Sequence, residues 1–129
     1  MAAVLDAYER RCAAGALRPD AGQRAVAAKL DALAVALTDT APQPGLFGRF
    51  RKPAPPPRGL YIHGEVGRGK TMLMDLFHAA AEAGRKRRVH FHAFMQDVHA
   101  RLHAARQDHA QDAIAPVARA LAQESRLLC

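Results

Sequence analysis

The spacing of apolar positions predicts two helices at the start of the chain. Residues 2–14 have the pattern of a short helix that ends at Gly15. Pro19 and Asp20 precede a second helix, where the Asp20 carboxylate can accept hydrogen bonds from the first main-chain amides. In that helix the apolar residues recur at spacings of three and four: Val26, Leu30, Leu33 and Leu37. We therefore predict a small helical N-terminal unit over residues 1–38.

The apolar pattern stops between residues 39 and 58. This segment contains six prolines and two glycines, which remove main-chain donors and interrupt regular elements. We predict that it is a linker, stiffened by the run "PAPPP".

Beyond the linker, short apolar runs alternate with helical patterns. The run "GLYIHG" predicts a strand, and "KTMLMDLFHAAAEAG" predicts a helix that stops at Gly84. A second strand is predicted within "RKRRVHFHAF", followed by a helix at "MQDVHARLHAAR" and another over about 113–124. The final "RLLC" begins one more apolar run. Strands that alternate with helices indicate a parallel α/β sheet, here over residues 59–129.

A glycine-rich turn joins the first predicted strand to its helix. Gly64, four further residues, Gly69, Lys70 and Thr71 match the phosphate-binding pattern G-x-x-x-x-G-K-[ST]. Glycines let the main chain curl so that its amides face phosphate oxygens, and the helix that follows adds the positive end of its dipole. We expect Lys70 to be the catalytic residue at the outer phosphates and Thr71 to ligate Mg²⁺. The predicted nucleotide-binding residues are Gly64, Glu65, Val66, Gly67, Arg68, Gly69, Lys70 and Thr71.

The charge of the chain is compatible with such a site. The formal charge is +7, from 19 Lys and Arg against 12 Asp and Glu. We disfavour nucleic-acid binding because the basic residues are dispersed and only seven Phe and Tyr residues could stack on bases. The densest basic run, residues 85–88, leaves contact with a partner or with an acidic membrane surface open.

The cysteines and the N-terminus suggest a compartment. Cys12 and Cys129 form neither a disulfide framework nor a metal-binding spacing, which favours a reducing compartment. Asp6 and Glu9 lie where a signal peptide would need an apolar run. No segment approaches the ~20 apolar residues of a membrane-spanning helix. We expect a cytoplasmic protein without a transmembrane segment.

Four of the seven histidines raise the question of a metal site. His90 and His92 would share one face of the second predicted strand, and His99 and His103 lie four apart on the next helix. These pairs could supply four nitrogens to zinc. No cysteine or acid completes a known zinc-binding spacing, so we favour structural roles.

Two longer stretches resemble a known family. "GLYIHGEVGRGKTMLMDLF" followed by "KRRVHFHAFMQDVHARL" is similar to the ZapE family of AAA+ ATPases, which are bacterial cell-division-associated proteins with relatives in mitochondria. The resemblance implies an incomplete P-loop NTPase fold of the AAA+ type, with ATP and Mg²⁺ as cofactors. It also implies a partner in the cell-division machinery and a homo-oligomer of the full-length protein. Where the family usually has glycine, this chain has Glu65, whose carboxylate we expect to face away from the phosphates because it would repel them.

The same resemblance implies a longer parent protein. The family continues beyond "RLLC" with an aspartate–glutamate pair, and water activation in this class of fold depends on such acids. We therefore expect weak nucleotide binding and little turnover from these 129 residues alone. Two other functions stay open: a P-loop kinase that acts on a small metabolite, and a non-catalytic interaction module whose phosphate loop is vestigial.

Overall fold

A computed structural model of the chain describes residues 3–39, 55–108 and 111–129. Most of the predicted linker, residues 40–54, lies outside the described residues. The chain divides into two compact units, Met1–Ala83 and Gly84–Cys129. The elements, in chain order, are α1 (Ala3–Ala13), α2 (Ala21–Asp39), α3 (Lys70–Ala80), β1 (Lys86–Arg87), α4 (Phe91–Asp108), α5 (Ile114–Glu124) and β2 (Leu127–Leu128).

The first unit is a packed group of three helices, α1, α2 and α3. The predicted apolar face of α2 is partly confirmed, since Leu30 and Leu37 are buried whereas Val26 and Leu33 are half-buried. Burying a leucine or phenylalanine side chain stabilises a fold by about 1.5–3 kcal/mol. The buried side chains of these three helices are Val4, Tyr8, Ala27, Leu30, Asp31, Leu37, Leu73, Leu76 and Phe77. This core fixes α3, and therefore the loop that precedes it, against the N-terminal helices.

The turn between α1 and α2 follows the sequence signals. The Ala16 amide donates to the Arg11 carbonyl at the end of α1 (3.0 Å). The Asp20 carboxylate accepts a hydrogen bond from the Gln23 amide (2.9 Å), which confirms the predicted N-cap. The Tyr8 hydroxyl accepts from the Asp20 amide (2.9 Å) and donates to the Asp20 carbonyl (3.2 Å). Burial raises the pKa of Tyr8 above its ordinary value of 10.0, so the hydroxyl keeps the proton that it donates.

A second contact joins α2 to the start of α1. Asp31 is buried, and its carboxylate accepts hydrogen bonds from the main-chain amides of Val4 (2.7 Å) and Leu5 (3.0 Å). The first amides of a helix have no partner within the helix and favour a negative charge nearby. Asp31 therefore caps α1 from a distant part of the sequence.

The second unit contains α4 packed on α5 and the parallel pair of β1 and β2. Lys86 is paired with Leu127 and Arg87 with Leu128. The parallel direction of this pair is as predicted, and the described fold is mostly helical with an incomplete sheet.

An ionic network connects α4 to β1 and to α5. Arg101 donates to Asp97 (2.9 Å) and to Glu124 (2.9 Å), and Arg87 also donates to Asp97 (3.2 Å). The Arg101 guanidinium lowers the pKa of Asp97 and of Glu124 below their ordinary values, and these two carboxylates raise the pKa of Arg101.

One predicted strand is absent from the described residues, and two predicted elements have different boundaries. Residues 59–64 do not form a strand, because a strand needs a hydrogen-bonded neighbour and the described sheet pairs only β1 with β2. The strand within "RKRRVHFHAF" is limited to Lys86–Arg87, and α4 already begins at Phe91. Helix α3 ends at Ala80, before Gly84, because Ala81 has an extended main chain.

The predicted division at residues 38 and 58 stays a prediction, while the structure places α3 in the same unit as α1 and α2. In the described part of the chain, no helix has the length and apolar character needed to cross a bilayer.

Candidate functional site

The predicted phosphate loop lies directly before α3, as the pattern requires. Gly67 and Gly69 have φ values of +80° and +81°, a left-handed conformation that glycine adopts far more readily than other residues. Helix α3 begins at Lys70, and among the described residues no side chain caps its N-terminus at Gly69. An uncapped helix start is a favourable position for an anion, because its amides lack partners within the helix.

The Lys70 side chain folds back over the loop. Its Nζ donates hydrogen bonds to the main-chain oxygens of Gly64 and Glu65, each at 2.7 Å. A lysine ammonium has three N–H donors, so these two contacts leave a third N–H and the positive charge for a ligand. The two carbonyl oxygens hold the ammonium beside the loop.

Glu65 is directed into solvent. Its side chain is 82% exposed and pairs with Arg68, with Oε2 and Nη2 3.3 Å apart. Glu65 also lines the cleft beside the loop, so the expectation that its carboxylate faces away from the phosphates stays a prediction. Val66 at the tip of the loop is fully exposed, so only its main chain is available to line a cradle.

Thr71 is exposed in the first turn of α3, next to Lys70. Hydroxyl oxygens suit Mg²⁺, which prefers hard oxygen ligands and usually binds proteins through one or two of them together with phosphates. The residue and its position fit the role of a Mg²⁺ ligand beside a bound nucleotide.

A cleft of about 320 Å³ lies between the loop and the start of α2. This volume is within the range of small-ligand pockets. Apolar walls come from Val26, Ile62 and Leu73, and polar groups come from both sides. The polar lining consists of Asp20, Gln23, His63, Glu65, Arg68 and Lys70.

Gln23 makes a contact with the loop that the sequence did not predict. Its Nε2 donates a hydrogen bond to the Arg68 carbonyl (2.8 Å), which connects α2 to the loop. The sequence signal was ambiguous, because a glutamine three residues after an N-cap aspartate is typical of a capping box. In that motif the glutamine would bind the Asp20 amide, but the Tyr8 hydroxyl already binds it.

One of the two predicted histidine pairs is wrong, whereas His99 and His103 lie four residues apart in α4 as predicted. His90 and His92 do not share a strand face, because His92 lies in α4 and His90 precedes it. The rings of His92 and His103 each approach a glutamine four residues later, at 3.3 Å. Among residues 3–39, 55–108 and 111–129, no three His, Cys, Asp or Glu side chains are grouped as metal ligands. Cys12 and Cys129 do not form a disulfide.

Comparison with known proteins shows similarity to one family of ATPases. The sequence pattern of the AFG1-like ATPase family matches residues 2–129. The chain is 49% identical over 83 residues to "Lactation elevated protein 1 homolog B" of Danio rerio, which covers 57% of this chain and 16% of that protein. It is 41% identical over 102 residues to "Cell division protein ZapE" of Escherichia coli K12, which covers 70% of this chain and 27% of that protein.

A protein of Schizosaccharomyces pombe described as uncharacterised is 38% identical over 97 residues, which covers 72% of this chain and 19% of that protein. The chain thus spans between 16% and 27% of the length of these relatives. No solved structure matches the chain significantly.

Proposed function

The chain belongs to the AFG1-like ATPase family, and we propose that residues 64–71 bind the phosphates of ATP together with Mg²⁺. The observation that supports this most directly is the position of Lys70. Its ammonium is held over a glycine turn by two carbonyl oxygens, at the uncapped start of α3. A fixed positive charge beside a helix N-terminus is complementary to a polyphosphate.

Each group of the loop has a separate task in this proposal. Lys70 binds the outer phosphates, and the loop amides together with the start of α3 bind the remaining phosphate oxygens. Thr71 holds Mg²⁺, which neutralises charge on the phosphates. The cleft beside the loop receives the nucleoside, whose apolar faces match Val26, Ile62 and Leu73.

The activity of the whole protein is a further proposal. We propose that full-length members containing this segment hydrolyse ATP and use the energy to act on a protein partner. The name of the E. coli relative suggests that the partner belongs to the cell-division machinery. The residues described around the loop support nucleotide binding. Two carboxylates line the cleft beside the loop, and both already have partners. Asp20 caps α2, and Glu65 pairs with Arg68.

A binding titration with Mg-ATP tests the proposal. Replacing Lys70 by alanine removes one charged donor, which is worth roughly 1.5–3 kcal/mol, so Lys70→Ala should weaken binding by about tenfold or more. Lys29→Ala is the matched control, because it removes the same charge from an exposed position on α2 and should change affinity less than about twofold. Equal affinities of wild type and Lys70→Ala would instead support a vestigial loop in an interaction module.

A further inference from the structure

Gln23 has a role that its position near the start of a helix does not explain. The residue belongs to α2, yet its amide nitrogen donates to the Arg68 carbonyl 45 residues away in sequence. The main-chain donors that a helix-start glutamine usually binds already have other partners. The Asp20 amide is bound by the Tyr8 hydroxyl, and the Gln23 amide is bound by the Asp20 carboxylate.

The orientation of the Gln23 side-chain amide is fixed by the loop. If the amide were turned over, its oxygen would meet the Arg68 carbonyl oxygen, and two acceptors would oppose each other. In the orientation observed, Oε1 is buried and has no hydrogen-bond partner among the described residues. Leaving a buried oxygen unpaired is unfavourable, so the contact with Arg68 is retained at the expense of the other end of the amide.

The same side chain also limits the shape of the loop at Gly69. A Cβ atom at Gly69 would lie 2.7 Å from Nε2 of Gln23 and 3.4 Å from its Cδ. A residue with a side chain at this position would therefore have to displace the end of the Gln23 side chain. Arg68 and Gly69 immediately precede Lys70, so this contact acts on the bend that directs the ammonium and the first amides of α3.

We propose that Gln23 is a positioning residue of the phosphate loop, which holds the Arg68–Gly69 bend in its anion-binding shape before any ligand arrives. Preorganised donors bind more tightly because no ordering cost arises on binding. This inference rests on the proposed function for its effect on affinity, whereas its effect on the free loop is independent of any ligand. Gln23 acts here through the main chain, so it should serve every polyphosphate ligand equally.

Limited trypsin digestion of the ligand-free full chain tests the first part. Trypsin cleaves the Arg68–Gly69 bond, whose carbonyl is the acceptor of Gln23, and cleavage requires local opening. Gln23→Met keeps the length and removes the donor, and the loss of one neutral hydrogen bond should accelerate this cleavage by roughly 2–12-fold. The rate at Lys29–Leu30 within α2 reports opening of the helix and should not change. Thr38→Val, an exposed neutral change at the far end of α2, should leave both rates as in wild type.

An unchanged rate at Arg68–Gly69, or an equal increase at both bonds, would overturn the inference. The second outcome would mean that Gln23 merely stabilises the three-helix unit.

Affinity measurements test the second part. Gln23→Met should lower the affinities for Mg-ATP, Mg-GTP and inorganic pyrophosphate by a similar factor, because all three ligands present phosphates to the same bend. Weaker ATP binding with unchanged pyrophosphate binding would overturn the inference, since Gln23 would then contact the base. If the wild-type chain binds none of these ligands, the proposed function fails, and the digestion rates still decide whether Gln23 orders the free loop.

Discussion

The two glycines with positive φ in the phosphate loop differ in one respect that can be measured. Gly67 and Gly69 have nearly the same φ, +80° and +81°. A Cβ at Gly67 would meet nothing within 4 Å, whereas a Cβ at Gly69 would lie 2.7 Å from Nε2 of Gln23. Alanine therefore introduces the same conformational strain at both positions, but it meets a steric conflict with Gln23 only at position 69.

The expected magnitudes follow from these geometries. A left-handed conformation costs an L-residue about 1–2 kcal/mol, so Gly67→Ala should weaken Mg-ATP binding by roughly 5–30-fold. Gly69→Ala carries the same strain and also displaces the Gln23 amide from the Arg68 carbonyl. Losing that neutral hydrogen bond costs about 0.5–1.5 kcal/mol, which adds a further factor of roughly 2–12. In a Gln23→Ala background the conflict is absent, so the two alanine variants should bind equally.

Equilibrium dialysis with labelled Mg-ATP measures these affinities on dilute protein, and a urea melt of each variant confirms that the chain is folded. The reasoning is refuted if Gly69→Ala binds as tightly as Gly67→Ala in the otherwise wild-type chain. It is also refuted if the excess loss at position 69 persists when Gln23 is alanine.

Two stability predictions follow from contacts outside the loop. Asp31→Ala leaves two amides of α1 without their charged acceptor, so the free energy of unfolding should fall by about 2–4 kcal/mol. The control Asp6→Ala, at an exposed position, should change the free energy of unfolding by less than about 0.5 kcal/mol. Equal urea midpoints for the two variants would contradict the long-range cap. The pKa values of Asp97 and Glu124 are lowered in the folded chain, so their contribution to stability is present above the ordinary values of 3.8 and 4.5 and is lost as the pH falls through the lowered pKa values. Arg101→Gln should make the acid unfolding of the second unit less steep and less sensitive to salt, and an unchanged acid profile would show that the network contributes nothing.

The glycine turn before α3 was predictable because its signal is local. The spacing of Gly64, Gly69, Lys70 and Thr71 specifies a turn followed by a helix, and the structure begins α3 at Lys70. The N-cap at Asp20 is local in the same sense, since its carboxylate binds an amide three residues later. Signals that act within one turn of the chain need no knowledge of the rest of the fold.

The terminal "RLLC" run does contain β2, but the two earlier strands were predicted poorly because pairing is not local. An apolar run such as residues 59–64 becomes a strand only when a neighbouring strand satisfies its main-chain groups. In the described part of the chain, the sheet consists of β1 and β2, which pair with each other. The His90 and His92 pair failed for the same reason, because the predicted strand became the start of α4 at Phe91.

By itself, the sequence determined the position of the glycine turn before Lys70 and the helices on each side of the proline-rich segment. Only the tertiary structure decided that Gln23 reaches Arg68 rather than its own helix start, and that Asp31 caps α1. The physical reason is that a side-chain amide or carboxylate has several acceptable partners nearby. Which one it binds depends on the partners that packing leaves available. Here the Asp20 amide already donates to the Tyr8 hydroxyl, so it is not available to Gln23.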